Sequence, residues 1–224
     1  MVHELTGLVG EPQNLVSYHL AKLRDAGVVT ARRSSADRRG AYYSADLTRI
    51  GELLAGAGEA VHPGLRLAPP APTVARAGGP RQRVLFLCTG NSARSPIAAA
   101  LIEHRSGGAV TASSAGSRPK ALHPNARRVL HELGIDVHEH RPRHVDQLRG
   151  RRFDHVVTLC DRVREVCPEF RGQPEAVHWS IPDPTAGGGT DDVLYPAFRR
   201  VAEELATRIG FLLNRIDDTT PTRR

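Results

Sequence analysis

An α/β protein in two parts is the architecture this sequence predicts, and three observations predict it. From residue 83 onward, strand-like apolar runs alternate with helical patterns: RVLFLC, PIAAALIEHRS, AVTASSAG, PNARRVLHELG, FDHVVTLC, VHWS and the long PAFRRVAEELATRIGFLLNRI. Such alternation is the signature of a parallel sheet covered by helices on both sides. Before residue 66 the order is helix, Gly-containing turn, helix, strand, charged turn, strand, helix. Between the two, RLAPPAPTVARAGGPRQ is rich in Pro, Ala and Gly and has no sustained apolar period, which reads as a semi-extended linker. The expected division is an N-terminal domain over 1–65, a linker over 66–82, a C-terminal domain over 83–219 and a polar tail over 220–224.

The length suits two small domains, and 40% hydrophobic with 25% charged residues supports a buried core and excludes general disorder. No apolar stretch approaches the roughly 18 residues of a membrane span, and MVHELTGLVG lacks the basic start and small-residue cleavage site of a signal peptide. A cytoplasmic location is expected. Three cysteines, an odd number, fit a reducing compartment in which thiols are catalytic, metal-binding or buried, rather than a disulfide framework. The net charge of +7 decides little until its distribution is read. Residues 1–66 hold eight Lys/Arg against seven Asp/Glu, yet Arg32, Arg33, Arg38 and Arg39 fall within eight positions and form a patch.

In the first part, VHELTGLVG and EPQNLVSYHLAKLRDAGVV read as helices, with Leu15, Leu20 and Leu23 at helical spacing and Gly27 as the stop. VVTARRS and AYYSADL read as strands joined by SSADRRG, a hairpin with a charged tip, and LTRIGELLAGAGEAV as a closing helix. Helix, turn, helix and basic-tipped hairpin is the order of a winged helix-turn-helix, whose second helix enters the major groove while the wing touches phosphates. On that reading Gln13, Asn14, Ser17, Tyr18 and His19 face double-stranded DNA, with Arg32, Arg33, Arg38 and Arg39 on the backbone; a small helical domain with a solvated loop is the alternative. NLVSYHLAKLRDAGVV and RRGAYYSADL resemble the recognition helix and wing of the arsenic-responsive repressor family over residues 1–62. That family has further helices before the point where this sequence begins, so the domain is expected to lack leading helices. The resemblance implies a homodimer. Metal-sensing members carry a Cys pair near the first helix of the motif, and VHELTGLVG has none.

In the second part, Cys88 ends an apolar strand and is followed by Thr89, Gly90, Asn91, Ser92, Ala93, Arg94 and Ser95, with a helix expected to begin near Pro96. A strand ending in Cys, a loop whose amides point inward and a helix N-terminus together cradle a tetrahedral oxyanion. Arg94 can grip two of its oxygens, and Ser95 can donate to the sulfur. Loop and helix N-terminus also favour a nucleophilic thiolate at Cys88, although a cysteine ending an apolar strand can equally be packing. VLFLCTGNSARS resembles the loop of the low-molecular-weight protein tyrosine phosphatase fold, and Asp183-Pro184 in IPDPTAGG matches that fold's general-acid loop.

Two further cysteines, Cys160 and Cys167, bracket DRVREV, a short polar stretch that suits a helix or a loop. VVTLCDRVREVCP followed by VHWSIPDP resembles the arsenate reductases built on the phosphatase fold, over residues 83–216. The resemblance implies a relay in which Cys88 attacks arsenate, Cys160 attacks Cys88 and releases arsenite, and Cys167 attacks Cys160. It further implies no bound cofactor and an external dithiol reductant such as thioredoxin. A core role for Cys160 with an incidental Cys167 is the alternative; a zinc site, despite His155 and His178 nearby, lacks the usual paired ligand spacing. Some members hold a monovalent cation through an Asn, a Glu and an Asp. Asn91 matches the first, but Ala99 and Arg143 stand at the other two, so cation binding is expected to be absent or altered, with an arginine in place of the charge. Two rivals remain open on the residues alone: a phosphatase acting through Cys88 without the relay, and a transcriptional regulator whose second domain senses an oxyanion or redox state.

Overall fold

The chain divides into two compact units, Met1–Ala71 and Pro72–Arg224. The computed structural model describes residues 2–34, 40–62, 81–138 and 140–219, with the side chains of residues 59 and 217–219 excepted. Arg38 and Arg39, most of the linker and the polar tail lie outside the described residues. Among the described residues, no helix is long and apolar enough to cross a membrane.

The first unit runs α1 (Val2–Val9), α2 (Gln13–Asp25), β1 (Val29–Arg33), β2 (Ala41–Ala45) and α3 (Leu47–Val61). Local chemistry sets each boundary. α2 ends where Gly27 takes φ 73, letting Gly27 and Val28 amides close on the carbonyls of Arg24 and Leu23. β1 and β2 pair antiparallel from Val29–Ala45 to Arg33–Ala41. The Asp46 side chain caps α3 by accepting from the Arg49 amide at 2.9 Å. The buried apolar set of this unit is small, Val16, Leu20 and Tyr42.

The second unit holds a four-stranded sheet in the order β4-β3-β5-β6, from β3 (Gln82–Cys88), β4 (Val110–Gly116), β5 (His155–Thr158) and β6 (Glu175–His178). Every pairing is parallel. Val84 through Cys88 are buried in succession, and successive strand side chains alternate faces, so both faces of the central strand are covered. The helices are α4 (Arg94–Arg105), α5 (Pro124–Glu132), α6 (Asp161–Glu165) and α7 (Asp191–Thr219). α4 packs on β3 and β4, and α7 lies against α4 and α5. This is the parallel sheet flanked by helices that the alternation predicts.

Several boundaries differ from expectation, among them that of β6, which runs Glu175–His178 where VHWS was expected. β3 starts at Gln82, taking one residue from the linker, because Gln82 already pairs with Val110. α4 starts at Arg94 rather than near Pro96, since proline is tolerated in a first turn whose amides have no helical acceptor. The β5 ladder stops at Thr158, so Cys160 does not end the strand; it is the extended residue that caps α6. α7 begins five residues before Pro196, which sits inside the helix and removes one amide, while Asp191 and Asp192 favour the N-terminal turn.

Candidate active site

The loop between β3 and α4 is shaped from outside. The amides of Arg118, Lys120 and His123 donate to the carbonyls of Thr89, Gly90 and Ser92 at 2.8, 2.8 and 2.9 Å. His140 Nε2 lies 3.3 Å from the Asn91 carbonyl. These contacts tie the carbonyls of the loop to the segments that follow it. Burial lowers the His140 pKa, the Asn91 carbonyl opposes this, and the Arg143 charge adds to the lowering. Asn91, fully buried at φ 45, is the internal strut: its Nδ2 donates to Ser95 Oγ at 3.0 Å and Ser114 Oγ at 2.9 Å. Its Oδ1 accepts from the Arg143 amide at 2.9 Å. The backbone of Arg143 therefore meets Asn91 directly, and the Arg143 charge is felt at His140 beside it. Gly116 is obligatory for the packing, because a Cβ there would stand 2.5 Å from the Thr89 carbonyl oxygen and 2.9 Å from that of Cys88.

Cys88 is buried, with Sγ 3.0 Å from Ser95 Oγ. Because Ser95 Oγ already accepts from Asn91, its own hydrogen is available to Cys88 or to the Ala115 carbonyl at 3.4 Å. Arg94 is also buried; Nη1 donates to the Ile181 carbonyl at 3.0 Å and Nη2 to Asp183 Oδ2 at 2.9 Å. Its Nε is buried with no hydrogen-bond acceptor among the described residues, a donor that an oxyanion in the loop would satisfy. Burial pushes the Asp183 carboxyl up, but Arg94, the Thr185 amide and hydroxyl, and Lys120 outweigh it and hold it below its usual value. Asp183 is thus beside the loop as its motif suggests, its carboxylate paired with Arg94.

The parallel pairing of Leu87 with Thr158, extended by the Leu159 amide donating to the Leu87 carbonyl, brings Cys160 beside Thr89. Cys160 is buried, with Sγ 3.2 Å from Thr89 Oγ1. Cys167 follows α6, half-buried, with Sγ 3.7 Å from the Pro168 carbonyl; burial raises its pKa. Cys160 and Cys167 flank the five-residue α6, one at its N-cap and one beyond its C-cap, and both are free thiols. Sequence reasoning missed three contributors: Ser114 beneath Asn91, Gly116 beneath the loop, and Asp161, whose position immediately after Cys160 was the available signal. His178, weighed only as a zinc ligand, lies 3.2 Å from Asp161.

In the first unit, Gln13, Asn14, Ser17, Tyr18 and His19 are exposed on α2, while Val16 and Leu20 face its core. Tyr18 packs edge-on to His19 at 5.4 Å, with Lys22 Nζ 5.7 Å from the Tyr18 ring centre. Arg33 is exposed; Arg32 is half-buried, and its Nη1 donates to the Arg33 carbonyl at 3.1 Å.

A parallel sheet carrying a Cys-x5-Arg-Ser loop between its first strand and first helix defines a cysteine enzyme scaffold for tetrahedral oxyanions. The chain belongs to the low molecular weight phosphotyrosine protein phosphatase family, whose pattern matches residues 83–221. Within it, the arsenate reductase of Halalkalibacterium halodurans is 39% identical over 126 residues, covering 56% of this chain and 91% of that protein. A solved arsenate reductase in its phosphate-binding state is 26% identical, with a TM-score of 0.53, over 60% of this chain and 98% of that one. The thioredoxin-dependent arsenate reductase of Corynebacterium glutamicum shares the fold over 98% of this chain and 96% of its own, at 22% identity and a TM-score of 0.50.

Proposed function

We propose that the second unit reduces arsenate to arsenite through a three-cysteine relay, and that the first unit binds DNA and couples the enzyme to arsenic-responsive regulation. The observation that carries the reductase reading is a second buried thiol at the mouth of the loop: Cys160 Sγ lies 3.2 Å from Thr89 Oγ1, one residue from Cys88. Hydrolysis of a phosphoester needs no such neighbour. Arsenate enters the loop, its oxygens held by Arg94 Nε and the loop amides. Cys88 thiolate attacks the arsenic of a dihydrogen arsenate ion, and one hydroxyl leaves as water by taking the proton of the other. Cys160 then attacks Cys88 sulfur; the S–As electron pair passes to arsenic, As(V) becomes As(III), and arsenite departs from a Cys88–Cys160 disulfide. Cys167 attacks Cys160 and frees Cys88, and an external dithiol of the thioredoxin kind reduces the Cys160–Cys167 bond.

The DNA-binding reading rests on the exposed polar face of α2, where Gln13, Asn14, Ser17, Tyr18 and His19 stand clear of the core, and on Arg33 in the hairpin.

The test of the reductase reading is arsenate-dependent NADPH oxidation with thioredoxin and its reductase. Loss of turnover in Cys88→Ser, Cys160→Ser and Cys167→Ser is the expected result. An enzyme that gives no arsenite with any dithiol, yet hydrolyses an aryl phosphate through Cys88 alone, is a phosphatase.

A further inference from the structure

Asp161 has a fully buried side chain that no step above uses. It occupies the first position of α6, directly after Cys160. Ser180 Oγ donates to its Oδ1 at 2.7 Å, and His178 Nε2 lies 3.2 Å from the same oxygen. The other ring nitrogen, His178 Nδ1, stands 2.8 Å from Thr158 Oγ1 and 3.1 Å from the Thr158 carbonyl. Thr158 pairs in register with Leu87 of the central strand, so a continuous polar chain links the sheet to the first turn of α6.

Burying a carboxyl completely is costly unless its partners are fixed, and a first-turn acid needs no burial to favour a helix N-terminus. The cost is spent at one end of the helix only. Asp161 and Val163 are buried, whereas Glu165 and Val166 are exposed, and the Cys167 amide reaches the Arg164 carbonyl at 3.5 Å, the outer limit of a hydrogen bond.

We propose that Asp161 is a positioning residue for Cys160: it pins the first turn of α6 to the sheet through Ser180 and His178, so that Cys160 stays within reach of Cys88. The proposal rests on the relay reading and adds to it a fixed anchor for Cys160. When Cys167 attacks, the Cys160–Cys167 bond forms, the Cys88–Cys160 bond breaks, and Cys88 leaves as a thiolate. No net oxidation occurs, and a fixed Cys160 lets one moving thiol complete the exchange.

The test uses the full chain carrying Cys167→Ser, with Asp161→Ala, Asp161→Asn or Ser180→Ala added. Diamide serves as oxidant, taking two electrons and two protons from the thiols, and Cys88–Cys160 bond formation is followed by mass spectrometry of quenched samples. Asp161→Ala should slow that bond about tenfold. Asp161→Asn, which keeps an acceptor for Ser180, should recover most of the rate, and alkylation of Cys88 by iodoacetamide should not change. An unchanged rate in both Asp161→Ala and Ser180→Ala, with only a lower Tm, would overturn the proposal. So would equal loss of Cys88 alkylation, which would mean that the network supports the loop instead. Diamide replaces arsenate, so failure of the reductase reading appears separately, as wild-type protein that forms no disulfide with arsenate while the diamide rates still differ between variants.

Discussion

Arg94 is where charge and geometry meet. Its two terminal nitrogens are committed to Asp183 and the Ile181 carbonyl, and its Nε remains for the incoming oxyanion. A bound anion must therefore share the guanidinium with a carboxylate, and Asp183→Asn should tighten inhibition by inorganic phosphate several-fold. Because the Asp183 pKa is held down, the ion pair is complete above the usual carboxylate range and is lost only as pH falls through the lowered value. Phosphate inhibition should therefore show no Asp183 titration around neutral pH, which a pH series comparing wild type with Asp183→Asn would check. Gly116→Ala places a methyl against two carbonyls of the loop. A cost of about 1–3 kcal/mol in thermal unfolding is expected, and a loop displaced by roughly 1 Å should lose about a hundredfold in turnover. Cys88, Arg94 and Ser95 were legible in the sequence because strand, loop and helix are contiguous and the chemistry fixes their spacing. The Arg94–Asp183 pair spans 89 residues and its charge state depends on burial, which no local pattern carries.

At the scale of the element, α6 separates the two outer cysteines of the proposed relay. Burial raises the pKa of Cys167, which follows α6, so alkylation of Cys167 in the resting protein should be slow at neutral pH and rise with pH. If the proposed relay forms a Cys160–Cys167 bond, loss of protection of the amides of Arg164 and Cys167 in hydrogen exchange should accompany it. The sequence showed a short polar stretch between two cysteines but could not say that it is helical, nor that Cys160 caps it. The end of β5 is set by where β3 and β6 stop pairing, a property of neighbouring strands rather than of VVTLC itself. The early start of α7 was hidden for the opposite reason: a local proline signal at Pro196 outweighed the acidic turn before it.

Across the whole molecule, the two units differ in how much core they own. The second buries a continuous apolar set from Val84 to Ile216, whereas the first buries Val16, Leu20 and Tyr42 and leaves Leu8, Val9, Leu54 and Val61 exposed. Pro72–Arg224 expressed alone should keep the arsenate turnover of the full chain within about twofold, since Cys88, Cys160 and Cys167 all lie within that unit. For the first unit, binding of duplex DNA should weaken steeply as salt rises, and Arg33→Ala should reduce that slope by about one. Helix and hairpin order was readable there because Gly27 marks the stop of the second helix and a charged stretch separates the two strand-like runs. The basic tip with Arg38 and Arg39 lies outside the described residues. The most direct measurement of the central claim is disulfide mapping by mass spectrometry after one equivalent of arsenate is added to the fully reduced chain without a reductant. The relay predicts a Cys160–Cys167 disulfide with Cys88 returned to the thiol, together with one equivalent of arsenite. Three free thiols, or arsenite formed while Cys160 and Cys167 remain reduced, would contradict it.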